Sequence, residues 1–230
     1  MSEQNRTLLV DVGNTRIKYL ADSLDDSIST VESFDSIPMN QVTEIRVATV
    51  SRKNEIGQWS ASVRLPVRIA KVIREHRGLT VAYEDEQRLG VDRWLAMLAL
   101  WEERHSGFCV VDLGTAITVD YVSHEGLHQG GYIIPGFGLM KQALGVSTAQ
   151  VGFGGNSENT EPGIRTEDCV DHGINRMVLS LLNNIEQELQ EEIPLVLTGG
   201  DAVRSGRFVS AQNMMIDETL VLRGLRYCFE

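Results

Sequence analysis

The segment LLVDVGNTRIKYLAD, residues 8–22, returns in altered form as CVVDLGTAITVDYVS, residues 109–123. Each copy opens with an apolar run that reads as a buried strand. An Asp, one further residue, a Gly and a polar turn follow, and then a second strand. A third strand candidate and later helices come after each copy. One Asp-x-Gly turn is an ordinary hairpin. Two copies with matching flanks predict an α/β chain of two similar domains, facing each other across a cleft. The division is placed between residues 104 and 105. The first turn falls in domain 1–104 and the second in domain 105–230.

The remaining elements fit this plan. SISTVESF and EIRVATV read as further strands, NEIGQWSASV as a short helix, and VRIAKV and LTVAYE as weaker strands. DRWLAMLALWEERH places Trp94, Leu95, Leu98 and Trp101 at helical spacing, with Asp92 as a candidate N-cap. GGYIIPG closes a third strand in the second half, FGLMKQALGVSTA reads as a helix, and TEDCVDHGINRMVLSLLNNIEQELQEE as a long amphipathic one. IPLVLTGGDAV is a strand, a Gly-Gly turn and a helix start; ETLVLRGLRYCF is a final helix.

With 230 residues, 42% of them hydrophobic, the chain can bury substantial cores. Its formal charge of −11 repels nucleic acid and anionic membranes. The densest basic stretch, RIAKVIREHRG, includes a Glu and apolar residues and reads as a solvated face. Cys109, Cys169 and Cys228 are far apart, without metal-site spacing; Cys109 reads as a core residue. The first residues lack the basic and apolar regions of a signal peptide, and no apolar run is long enough to span a membrane. A cytoplasmic protein is expected. The five histidines, His76, His105, His124, His128 and His172, are scattered and read as structural or surface residues.

In the two hairpins, glycine lets backbone N–H groups approach an oxyanion. The adjacent Asp repels phosphate but can hold a metal that bridges to it. Asp11, Gly13, Asn14 and Thr15 therefore suggest one half of a nucleotide-phosphate clamp; Asp112, Gly114 and Thr115 suggest the other. Lys18 can add positive charge, and reads equally as an exposed strand lysine. In RLGVDRW, Asp92 can accept a hydroxyl proton in phosphoryl transfer, or simply cap a helix. Arg93 can fork to a substrate carboxylate or lie in solvent. QGGYIIPGFG reads as a turn or hinge, and the glycines of LVLTGGDAV as a weak adenosine signal.

Taken in order, DVGNTRIK, GVDRW, DLGTAITVD, GGYIIPG and TGGDAV resemble the type III pantothenate kinases of the acetate kinase/sugar kinase/Hsp70/actin superfamily. The resemblance implies two ribonuclease H-like (actin-like ATPase) domains, with mixed sheets flanked by helices. It implies ATP-dependent phosphorylation of pantothenate to 4'-phosphopantothenate. The segment Asp11, Val12, Gly13, Asn14, Thr15, Arg16, Ile17 and Lys18, together with Thr115, would bind ATP, with Asp11 towards magnesium. Asp92 would be the general base. Tyr83, Gly90, Val91, Asp92 and Arg93 would line the pantothenate site. Asp112 would hold potassium or ammonium. Thr166, with Thr160 as competitor, would reach the pantothenate site of a neighbouring subunit in a homodimer. A member that had lost catalysis would lack one of Asp11, Asp92 and Asp112; all three are present.

Overall fold

The computed structural model describes residues 6–13, 16–21, 28–147, 157–209 and 213–230. Two five-stranded sheets organise them. The first contains β1 (Arg6–Val12), β2 (Ile17–Ala21), β3 (Ser29–Val31), β4 (Val42–Thr49) and β5 (Val67–Ile69), in the order β3-β2-β1-β4-β5. β1 pairs antiparallel with β2 and parallel with β4, so the sheet is mixed. Helix α1 (Lys53–Ser62) connects β4 to β5. A small hairpin, β6 (Glu75–His76) and β7 (Leu79–Thr80), and helix α2 (Val91–Arg104) follow.

The second sheet contains β8 (Phe108–Leu113), β9 (Ala116–Val122), β10 (His128–Pro135), β11 (Leu195–Thr198) and β12 (Met214–Ile216). Its order is β10-β9-β8-β11-β12, with β8, β11 and β12 parallel. Each sheet thus ranks its own strands 3-2-1-4-5, which is what the internal repeat predicts. Four helices complete the chain: α3 (Phe137–Ser147), α4 (Thr166–Glu188), α5 (Ala202–Gly206) and α6 (Leu220–Tyr227).

Central strands covered on both faces read as unbroken apolar runs. Accordingly Leu8, Leu9, Val10 and Val12 of β1 are buried, as are Phe108 to Val111 and Leu113 of β8. One core gathers β1, β2, β4 and α1 around Ile45, Ile56 and Trp59. The other gathers β8, β9, β11 and α4 around Val111, Val178 and Leu182. Helix α2 is buried on all sides: Trp94, Leu95, Leu98 and Trp101 lie inside, and so do Ala96, Met97 and Leu100. Cys109 lies in the core, as its apolar setting predicts. Several expected strands are shorter in the structure. SISTVESF contributes three strand residues before a 3₁₀ turn at Phe34–Ser36, and LTVAYE contributes two.

The described chain divides into two compact units. Residues Met1–Gly107, Val122–Gly130 and Thr219–Glu230 form the first; Phe108–Tyr121 and Gly131–Glu218 form the second. Set beside a division at 104 and 105, the first unit runs on to Gly107 and takes up two later segments, Val122–Gly130 and Thr219–Glu230. Each return has a local cause. Helix α6 packs on α2 at Gly224, where any Cβ would collide with the Leu95 carbonyl. Arg46 Nη1 donates to the carbonyls of Leu225 and Arg226, at 3.1 and 2.7 Å, and so satisfies acceptors left open at the helix end. The β9–β10 hairpin tip docks through Gly126, whose φ of +78° suits glycine. A side chain there would strike the Gly78 carbonyl and the Trp101 ring, while the Gly126 carbonyl accepts from Thr80 N at 2.9 Å.

Among the described residues no helix is long and apolar enough to cross a membrane. The basic stretch around Arg74 and Arg77 is solvated and neutralised: Arg74 pairs with Glu86 and Arg77 with Glu102, each at 2.7 Å.

Candidate active site

The first Asp-x-Gly hairpin is built by β1 and β2. Asp11 is cross-strand partner to Lys18, and Val12 to Ile17. Opposed residues share a sheet face, so the Lys18 ammonium lies on the same side as the Asp11 carboxylate. Val12 and Ile17 are fully buried and can meet a ligand only through their backbone. Gly13 N donates to the Arg16 carbonyl at 3.1 Å and closes the turn, with Arg16 exposed. Asn14 and Thr15 lie outside the described residues.

In the second hairpin Gly114 N donates to the Ala116 carbonyl at 3.1 Å, closing a turn one residue shorter. Three glycines crowd it. A Cβ on Gly114 would sit 3.3 Å from Asp112 Oδ1. Gly199, at φ +91°, lies so close to the same oxygen that no side chain fits. Gly136 packs on the carbonyls of Gly114 and Thr115, and its N–H donates to Thr115 O at 2.9 Å. The glycines that read from sequence as a hinge and an adenosine turn therefore close on Asp112. Thr115 is exposed at the tip. Gly199 thus meets two oxygen atoms, Asp112 Oδ1 and the Leu113 carbonyl. No cluster of three or more His, Cys, Asp or Glu occurs among the described residues.

Asp92 departs from its expected place as N-cap. Helix α2 begins two residues earlier, at Val91, with Gly90 in the cap position and no side-chain cap. Asp92 sits in the first turn, and its Oδ1 accepts from Arg93 N at 2.8 Å. That carboxylate folds back over Gly90, where a Cβ would come within 2.5 Å of Oδ1. A side chain at 90 would force the Asp92 carboxylate to shift. The dipole of the 14-residue helix favours negative charge at this end. Val91 is buried and faces inward.

Arg93 is 6% exposed. Its Nη1 donates to the Tyr83 hydroxyl at 2.8 Å, and its guanidinium carbon lies 5.7 Å from the centre of the Tyr83 ring. The backbone of Tyr83 is fixed by Arg74, whose Nη1 donates to the Tyr83 carbonyl at 2.9 Å. The structure thus joins Tyr83, Gly90, Asp92 and Arg93 in one place within the first unit.

Thr166 is the first residue of α4 and is exposed; Thr160 is half-buried, with its N–H bonded to Asn159 Oδ1 at 2.7 Å. Thr166 borders an apolar groove of the second unit lined by Leu144, Val170, Ile174 and Met177. The segment ahead of Thr166 is held to α4 by polar bonds. Asp171 accepts from Ser157 N, His172 bonds Ser157 Oγ and the Glu161 carbonyl, and Asn175 donates to the carbonyls of Ser157 and Asn159.

Histidines 76, 124 and 172 all serve backbone or side-chain hydrogen bonds, as the structural reading expects. His128 is buried. Burial pushes the Cys109 thiol up, aided by the Asp120 charge, and pushes Cys228 up to about 12. Neither is a nucleophile at neutral pH.

Comparison with known proteins agrees with this chemistry. A profile described as type III pantothenate kinase matches residues 7–188. Type III pantothenate kinase of Marinobacter nauticus is 35% identical over 233 residues, covering 95% of this chain and 96% of that one. That of Chromohalobacter salexigens is 36% identical over 241 residues, covering 96% and 86%. Among solved structures, a Baf family protein of Campylobacter jejuni superposes with a TM-score of 0.63 at 22% identity, covering 95% of each chain. The activator of 2-hydroxyisocaproyl-CoA dehydratase from Clostridium difficile, with bound ADPNP, gives 0.52 at 12% identity, covering 97% and 92%. These two likenesses concern the fold, an α/β architecture with mixed sheets. The family profile and the near full-length relatives, together with the acid at the head of α2, establish that the chain belongs to the type III pantothenate kinase family.

Proposed function

We propose that this protein transfers the γ-phosphoryl group of ATP to the 4'-hydroxyl of pantothenate, giving 4'-phosphopantothenate and ADP at the start of coenzyme A synthesis. The observation that supports it best is Asp92 in the first turn of α2, given room by Gly90 and flanked by the Arg93–Tyr83 pair. Asp92 accepts the hydroxyl proton while that oxygen bonds to the γ-phosphorus and the bond to the ADP oxygen breaks. Arg93 offers its guanidinium fork to the pantothenate carboxylate. Tyr83, Gly90 and Val91 complete the acceptor site.

The segment Asp11 to Lys18 and the exposed Thr115 hold ATP, Lys18 offsetting phosphate charge and Asp11 facing the metal. When bound, magnesium neutralises charge on the transferred group. Asp112 holds potassium or ammonium, a role its glycine-lined, carbonyl-rich setting suits. Functionally, residues 1–104 supply the first phosphate loop and the acceptor site, and 105–230 the second loop. The apolar groove beside Thr166 supports a homodimer in which Thr166, or else Thr160, reaches the partner's acceptor site. We assign the enzyme to the cytoplasm, which holds ATP and keeps unpaired cysteines reduced. The test is ADP release from ATP, magnesium, potassium and pantothenate. A folded protein that releases no pantothenate-dependent ADP refutes the proposal.

A further inference from the structure

His128, left without a role by the sequence, meets Tyr83 in the first unit. It opens β10, is 3% exposed, and arrives there because Gly126 docks the hairpin tip between Gly78 and Trp101. The neighbouring Leu127 forms a bridge with Thr80, three residues before Tyr83. The imidazole and phenol rings lie nearly parallel, 11° apart, with centres separated by 6.0 Å. That is the offset stack aromatic rings prefer. The other influence on the phenol is the 2.8 Å bond from Arg93 Nη1, which uses a lone pair of the hydroxyl oxygen. A phenol that accepts from Arg93 has its own proton to give to another acceptor.

We infer that His128 is a positioning residue for the acceptor substrate: its ring fixes the plane of Tyr83 so that the hydroxyl meets Arg93 and directs its proton to a carboxylate or amide oxygen of pantothenate. The inference rests on the acceptor-site reading given above. Each element is a separate constraint on one ring. Arg74 holds the Tyr83 backbone, Arg93 holds its oxygen and His128 holds its face. Removing the third leaves the plane of the ring to be set by the Arg93 bond alone. The loss falls on binding of the acceptor, because His128 acts on Tyr83 and Asp92 is untouched.

The test compares His128→Leu, which keeps bulk and loses the ring face, with His128→Phe, which keeps a face. Wild type is assayed first for pantothenate-dependent ADP release, and every variant is checked by thermal melting. For His128→Leu the KM for pantothenate should rise roughly threefold to tenfold, the scale of one aromatic pair. Its kcat and its KM for ATP should hold, and His128→Phe should restore the KM for pantothenate. In a Tyr83→Ala background His128→Leu should add no further change, since the effect passes through that ring. An unchanged KM for pantothenate in folded His128→Leu overturns the inference. So does a common decline in kcat and both KM values, or Leu and Phe variants that behave alike. A wild-type protein without turnover refutes the acceptor-site reading itself, and this inference with it.

Discussion

Asp11 and Asp112 end the central strands of two sheets with the same strand order, yet their surroundings differ. Asp11 faces Lys18 across the hairpin. In the second copy the residue after the matching isoleucine is Thr118, and the carboxylate lies against Gly114 and Gly199 instead. A lysine beside a carboxylate suits a site for metal-bound phosphate, where both signs of charge must be met. A carboxylate among neutral carbonyls suits a bare monovalent cation, which a lysine would repel. The repeated hairpin thus sits in different surroundings in its two copies, and the second turn is one residue shorter.

The largest expected effect lies outside both hairpins and serves as their reference. Asp92→Asn should lower kcat by about 10²- to 10⁴-fold, the usual worth of a general base, with melting unchanged. Near-normal turnover would remove Asp92 from that role. The hairpins should then separate by ion. Asp11→Asn should raise the magnesium requirement and the KM for ATP roughly tenfold, the cost of one charge-assisted contact. Asp112→Asn should abolish the response to potassium and leave the magnesium requirement intact. Equal responses of the two variants to both ions would break the contrast.

Glycine substitutions probe the same difference through stability. Gly199→Ala puts a Cβ at positive φ against Asp112, and should cost about 1–3 kcal/mol by denaturant titration. Among the described residues Gly13→Ala meets the Arg16 carbonyl at 3.3 Å, and it should cost under about 1 kcal/mol.

The smallest effect concerns thiols. Each unit buries one cysteine, Cys228 in the first and Cys109 in the second, while Cys169 is exposed. A thiol reagent at neutral pH should label Cys169 alone. The Cys228 thiol rises from 9.0 to about 12 on folding, so its contribution to stability is full below pH 9 and is lost as pH climbs towards 12. Melting midpoints that rise with pH across that window would contradict this burial.

Much of this arrangement is legible in the sequence where one strand decides it. The runs LLVDV and CVVDL announce buried central strands because every residue but the acid is apolar, and the Asp-x-Gly spacing announces the turns. Asp is a common cap, so the sequence points to Asp92, whereas in the structure the cap is Gly90, two residues earlier, and the Asp92 carboxylate folds over it. What the sequence hides depends on approach between distant segments. Gly136 and Gly199 look like ordinary loop glycines until they meet the Asp112 turn. Gly126 looks like a hairpin tip until it meets Trp101, and His128 reaches Tyr83 only as a consequence. No spacing rule encodes such contacts, since the partners lie tens of residues apart.

The most direct measurement is ADP release by the purified protein with ATP and magnesium, with and without pantothenate, in potassium and then in sodium buffer. The account predicts ADP that depends on pantothenate and falls steeply when sodium replaces potassium. Pantothenate-independent release, or none from folded protein, would contradict the assigned reaction, and indifference to the cation would contradict the role given to Asp112.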